Sequence, residues 1–275
     1  MYFDELKITS EKLSEYEKHL SLYHDLFLNV KYKKVDVIFP FLLRRYDGNF
    51  RAINYLIKEF WLGDDRVEPA IGNLLRASLQ DSMAVMYIMS PYHDNISGNK
   101  EELLNQFFEK VCYFLSDQVL TLVQEIKSNS QSTEQRNQYY DKLISDLPFL
   151  FVKEKLEDND YANVKKLMKY GNERLHFKAE FKKLPDSKYK NTALGLYECY
   201  NLYSKYFHFG FHTMAFQENK NELIKIMIHA IAFSVSNCTI LAIANKGKVV
   251  HDGCNLKSMQ ELSAQIQSIA HKMPL

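Results

Sequence analysis

Glycine and proline are scarce in this chain of 275 residues, with 9 and 6 copies. Folds made of many short strands need more turn residues than that, so the scarcity points to helices. Charge of one sign is lacking too. Lysine and arginine number 35 against 34 aspartates and glutamates, for a formal net charge of +1. That balance excludes the whole-protein field that draws a strongly basic protein to nucleic acid or to an anionic membrane. Cysteine is limited to Cys112, Cys199, Cys238 and Cys254, with no C-x-x-C pair and no zinc-site spacing. The first three stand among apolar residues in helical stretches. They read as buried free thiols in a reducing compartment, so a cytoplasmic location is expected. The N-terminus, Met1-Tyr2-Phe3-Asp4-Glu5-Leu6-Lys7, has no basic stretch followed by an apolar run, as a secretory leader would.

One long uncharged run exists. Ile226 to Ala244 spans 19 residues without Asp, Glu, Lys or Arg, between Lys225 and Lys246. It approaches the length of a membrane span. It also holds His229, Ser234, Ser236, Asn237 and Thr239, and the central helix of a bundle has the same composition. The buried helix is the expectation, with no membrane partner.

Motifs that carry chemistry are missing as well. The sequence has no Gly-Lys-Ser/Thr phosphate loop, no Gly-x-Gly-x-x-Gly, no Gly-x-Ser-x-Gly and no His-Glu-x-x-His. Glu-x-x-His occurs once, from Glu173 to His176, whereas a di-iron bundle needs two such motifs and two more carboxylates. Ser187-x-x-Lys190 lies in a lysine-rich stretch where that match carries no information. The HEPN ribonucleases are marked by an Arg followed four to six residues later by a His, and none of the seven arginines has a His at that distance. No cofactor is implied.

What the chain does have is 46% hydrophobic residues, with 18 Tyr and 18 Phe, enough for a sizeable core. Leu13, Tyr16, Leu20, Tyr23 and Phe27 recur at three- and four-residue steps on a helix running to about Val30, with Thr9 and Ser10 as candidate caps. Residues 36–62 read as two shorter helices broken at Asp47-Gly48-Asn49. A further helix is expected from Val67, with Pro69 in its first turn, to Ser90 before Pro91. Others are expected at Lys100–Ser128, from Thr133 to before Pro148, at Asn191–Phe209, Glu218–Ala244 and Leu256–Met273. Ser128 to Thr133 is the lowest-complexity run and the best candidate boundary. The expectation is all-α: eight or nine helices in one bundle-like domain over 1–275, with an irregular basic insertion at 150–190.

Three clusters are candidates for function. Tyr200, Ser204, His208 and His212 are four apart and would form one polar stripe on a helix. His208 and His212 have the spacing of a metal-binding pair, though Gly210 lies between them and no third ligand is evident. The plainer alternative is a hydrogen-bonded core histidine plus a surface one. The second cluster is Arg76 and Asp81, in the apolar stretch Leu74 to Ser82. They sit too far round the helix to pair, so each is expected to pair across to another helix, with an anion-binding Arg76 as the sharper alternative. The third is charge. Residues 163–190 hold nine basic side chains, Lys165, Lys166, Lys169, Arg174, Lys178, Lys182, Lys183, Lys188 and Lys190, against three acidic ones, a local net of +6. Tyr170, Phe177, Phe181 and Tyr189 interleave with them. This suits single-stranded nucleic acid, and equally a solvated face whose aromatics pack inward.

Leu74-Leu75-Arg76 with an acid beyond it, and Tyr200-x-x-x-Ser204-x-x-x-His208-x-Gly210, together resemble an uncharacterised family of bacterial all-helical domains, over about residues 67–215. The resemblance implies a helical fold and a shared polar pocket, and no activity. Two functions stay open. One is a binding or interaction module, in which aromatic richness would suit a homo-oligomer. The other is a nucleic-acid- or phosphate-processing enzyme, of the kind found in bacterial defence or stress responses. There Arg76 would hold a phosphate, Ser204 orient it and His208 serve as acid or base.

Overall fold

The computed structural model describes residues 2–27, 34–94, 99–130, 132–152, 167–171, 174–207, 219–245 and 254–273. Among them the chain forms nine α-helices and no strand beyond one isolated antiparallel bridge, Phe151 with Met168. We number the helices α1 (Phe3–Phe27), α2 (Ile38–Trp61), α3 (Glu68–Asp94), α4 (Lys100–Asn129), α5 (Thr133–Asp146), α6 (Phe177–Lys183), α7 (Lys188–Phe207), α8 (Lys220–Asn245) and α9 (Cys254–His271). Contacts divide the chain into two compact units. The first comprises residues 1–31, 37–86 and 185–275, the second residues 32–36 and 87–184.

The first unit is built round α8, which packs on α1, α2, α7 and α9. It is apolar on every side because it is covered on most sides, and 72% of its most apolar window is buried. It is the one described helix long and apolar enough to cross a membrane. Some of its polar groups are satisfied locally or by tyrosines of α1, while Ser234 Oγ and Asn237 Oδ1 are buried without a hydrogen-bond partner among the described residues. Thr239 Oγ1 donates to Val235 O at 2.8 Å and lies 2.8 Å from Tyr16 Oη, while Tyr23 Oη donates to Ala242 O. Leu13, Tyr16, Leu20 and Tyr23 all fall on the core, as their spacing predicts. Thr9 and Ser10 do not cap α1. They lie inside it, where Thr9 Oγ1 bonds back to Glu5 O and Ser10 faces Asn54.

Two expected breaks are helical. Asp47-Gly48-Asn49 runs through the middle of α2. Aspartate and asparagine make turns by bonding their own backbone, but here those side chains are engaged elsewhere. Asp47 accepts from Ser21 of α1 at 2.8 Å and from Arg51, and Asn49 donates to Ser78 of α3 at 3.1 Å. Nor does α3 stop at Ser90; it continues through Pro91. Proline lacks the N–H that would reach the Tyr87 carbonyl, and Ser90 Oγ donates to that carbonyl instead at 2.9 Å.

In the second unit α4 and α5 pack on each other and on the short 3-10 turn Pro148–Leu150. Asn99 caps α4 through Glu101 N, and Ser132 caps α5 through Gln135 N. The segment 128–133 therefore lies between two helices of one unit. The backbone after the turn is held by Val152 N to Leu167 O and Lys169 N to Leu150 O, both 2.7 Å. Gly171 has φ +54°, and a Cβ there would come within 3.2 Å of the Tyr113 ring.

Candidate functional site

Helix α7 buries Ala193, Leu196, Cys199 and Tyr203 along one face, and α3 buries Ile71, Leu75, Ser78, Leu79 and Ser82. Arg76 of α3 and Tyr200 and Ser204 of α7 flank these faces, each half-buried. The guanidinium carbon of Arg76 stands 5.8 Å from the centre of the Tyr200 ring. Among the described residues no carboxylate pairs with Arg76, so the expected interhelical salt bridge is replaced by a ring contact. A planar guanidinium resting on an aromatic face keeps its N–H edges free for a planar anion. Ser204 follows Tyr200 by one turn. His208 and His212 lie outside the described residues, and so does any geometry they share with Arg76.

Asp81 behaves otherwise. It is buried, and its Oδ2 accepts from Arg45 Nε of α2 at 3.1 Å, the cross-helix pairing expected from its position. Burial pushes its carboxyl up from the ordinary 3.8 to about 7, against the pull of Arg45. Around the pair, Tyr46 Oη lies 2.9 Å from Ser82 Oγ, and Ser82 Oγ donates to Ser78 O. The partners Arg45, Tyr46 and Asn49 are what the sequence conceals, because they stand in a stretch that imitates a turn.

In the basic segment, Lys165 and Lys166 lie outside the described residues. Arg174 is tied to α4. It donates to Gln124 Oε1 at 3.0 Å and to Thr121, and stands 3.7 Å from Asp117, whose carboxylate also accepts from the Leu175 N–H. Lys183 pairs with Glu180, Lys190 with Asp186, and Lys169 sits over Tyr170. Lys178 and Lys182 are exposed. The aromatics pack among themselves: Phe181 is buried and stacks on Phe177, Phe177 meets Tyr87, and Tyr170 meets Phe108 and Tyr113. Tyr189 donates to the Met86 carbonyl.

A groove of about 540 Å³ that sequence reasoning missed runs between α1 and α2, lined by Ser10, Glu11, Ser14, Glu15, Lys18, Lys58 and Trp61. The Trp61 indole N–H is buried without a partner among the described residues. Another, of about 360 Å³, lies between α4 and α5. Neither is lined by Arg76, Tyr200 or Ser204. Among the described residues no group of three His, Cys, Asp or Glu side chains is placed to hold a metal. Cys112, Cys199 and Cys238 are buried and free, each with its thiol pushed up to about 12 by burial. Set against family models, curated proteins and solved structures, the chain matches none.

Proposed function

We propose that the chain is a non-catalytic helical binding module that takes an anionic group, phosphate or carboxylate, on Arg76. One observation carries this reading: a half-buried guanidinium that meets a tyrosine ring and, among the described residues, no carboxylate. Arginine is seldom withdrawn from water without a counter-charge, and an incoming anion would supply it. The test is thermal unfolding at constant ionic strength with added phosphate or citrate. A ligand at ten times its Kd stabilises the folded state by about 1.4 kcal/mol. The wild type should show an anion-dependent rise in midpoint and Arg76→Gln none; equal responses would remove the reading. The buried thiols support a cytoplasmic setting, and membership of a bacterial all-helical family bearing these two helices belongs to the same proposal.

The second reading is a nucleic-acid- or phosphate-processing enzyme of bacterial defence or stress. It draws support from the approach of Arg76 to Tyr200, one turn before Ser204. Arg76 would hold a phosphate, Ser204 orient it and His208 transfer a proton. Incubation with end-labelled single-stranded RNA and with a phosphomonoester tests it. Cleavage abolished by His208→Ala is expected, and an inert wild type ends it. Single-stranded nucleic acid at Lys165, Lys166, Lys169, Arg174, Lys178, Lys182 and Lys183 would show as anisotropy weakened by Lys182→Glu with Lys183→Glu.

A further inference from the structure

The groove of about 540 Å³ between α1 and α2 has the size of a small-ligand site. Its two walls differ in charge. The α1 wall carries two carboxylates, Glu11 and Glu15, and one ammonium, Lys18, while the α2 wall carries the single ammonium of Lys58. These are all the charged side chains that line it, so the groove as a whole is neutral. All four are exposed, and among the described residues none of them forms an ion pair or a side-chain hydrogen bond. Elsewhere on the same two helices charges are engaged: Arg51 pairs with Glu17 and Asp47, and Lys12 donates to Gln265 of α9 at 2.5 Å. The opposite charges of the groove therefore share one space without closing it.

Trp61, the only tryptophan in the chain, supplies the large apolar surface of the α2 wall. Its indole N–H is buried and has no acceptor among the described residues. A donor withdrawn from water with nothing to donate to is costly. Lys58 and Trp61 are three residues apart at the end of α2, and side chains at that spacing are neighbours on one helix face. An unpaired cation thus stands beside an unpaired N–H, and both call for an acceptor. On the other wall Glu11 and Glu15, one turn apart, call for a donor.

We infer that this groove binds a small zwitterion with an α-ammonium and an α-carboxylate, a free amino acid or a dipeptide with apolar side chains. The carboxylate goes to Lys58 and the indole N–H on the α2 wall. The ammonium goes to Glu11 and Glu15 on the α1 wall, and the apolar side chain lies against Trp61. Lys18 offsets one of the two glutamates, so a ligand of zero net charge leaves none in excess. A simple anion would meet the two glutamates and a simple cation the two lysines, so only a ligand carrying both charges is matched. This inference uses other residues than the Arg76 reading and does not depend on it.

Trp61 reports on its own site, because no other indole contributes to the emission of the protein. Titrating the full chain with leucine and with leucyl-leucine should change that emission saturably, with a Kd of about 1 mM or tighter. Whichever of the two binds tighter identifies the source of the zwitterion. N-acetyl-leucine, which lacks the ammonium, and leucinamide, which lacks the carboxylate, should each bind about tenfold or more weaker. Lys58→Met should weaken leucine as much, and so should Glu11→Gln combined with Glu15→Gln, while Arg76→Gln leaves its binding unchanged. The substituted positions are exposed, so these variants fold, which circular dichroism checks. Titration calorimetry repeats the comparison without relying on the indole. No saturable binding of either zwitterion overturns the inference, as does binding indifferent to the lysine and glutamate substitutions. N-acetyl-leucine binding as tightly as leucine overturns it in favour of a plain anion site, and leucinamide doing so overturns it in favour of a cation site.

Discussion

Arg76 and Asp81 stand five residues apart on α3, both in apolar surroundings, and the protein resolves them in opposite ways. Asp81 is sealed beneath Arg45 of α2, and between the same two helices Tyr46 Oη meets Ser82 Oγ. Arg76 is left half-buried against the Tyr200 ring of α7. A carboxylate withdrawn from water raises its affinity for a proton until a cation or a proton neutralises it. A guanidinium does not lose its charge at any ordinary pH, yet it is less strongly hydrated than an ammonium and can rest on an aromatic face. The first site is a structural pair that titrates. The second is a permanent charge that, among the described residues, meets a ring and no carboxylate.

The sharpest way to break this contrast is through pH. Asp81 binds its proton more tightly in the folded protein, at about 7, than in the unfolded chain, near 3.8. Folding therefore takes up a proton between those values. The stability that this carboxyl contributes is complete below about pH 4 and lost as the pH rises through 7. Asp81→Asn does not titrate, so its midpoint should gain on the wild type between pH 5 and pH 8, by on the order of a few kcal/mol. A difference that is flat with pH would mean that Arg45 outweighs burial.

Removing the cation should have the next largest effect. Arg45→Met leaves a buried carboxylate without its charge-assisted hydrogen bond, a loss of about 2 kcal/mol at pH 8 that should shrink at pH 5, where Asp81 carries a proton. Denaturant midpoints at the two pH values read it directly. Arg76→Gln should matter least. The ring contact is worth about 0.5–1 kcal/mol at a half-exposed site, and that small loss should be the same at pH 5 and pH 8. A larger or pH-dependent loss would assign Arg76 a hidden acidic partner and remove the reason for calling it a ligand site.

Much of the fold was legible because the long helices carry period-3.6 patterns and clear punctuation. The helices opening at Lys100 and Thr133 begin where the sequence reading places them, and α8 reads as buried from its lack of charge. Asp47-Gly48-Asn49 and Pro91 misled for one reason. Turn chemistry and proline state a local preference, and the side chains that settle the outcome, Ser21, Ser78 and Ser90, lie on other helices or beside the proline. The approach of Arg76 to Tyr200 was foreshadowed by two polar positions on apolar helices. The partner of Asp81 was not, because a helix period says that a residue points inward and never says at what. The packing of Phe177, Phe181 and Tyr170 has the same origin. Interleaved basic and aromatic residues fit a base-stacking surface and an inward-packed face alike, and only contacts choose.

Three of the four cysteines have a practical consequence. Cys112 lies in the second unit, and Cys199 and Cys238 lie in the first, all sealed and held as unreactive thiols. A thiol-modifying reagent can reach them only when the surrounding helices part. The chain thus carries built-in reporters of its own breathing, one in α4 and two in the layer around α8. Mass spectrometry of their modification rates would tell whether the two units open together or each at its own pace.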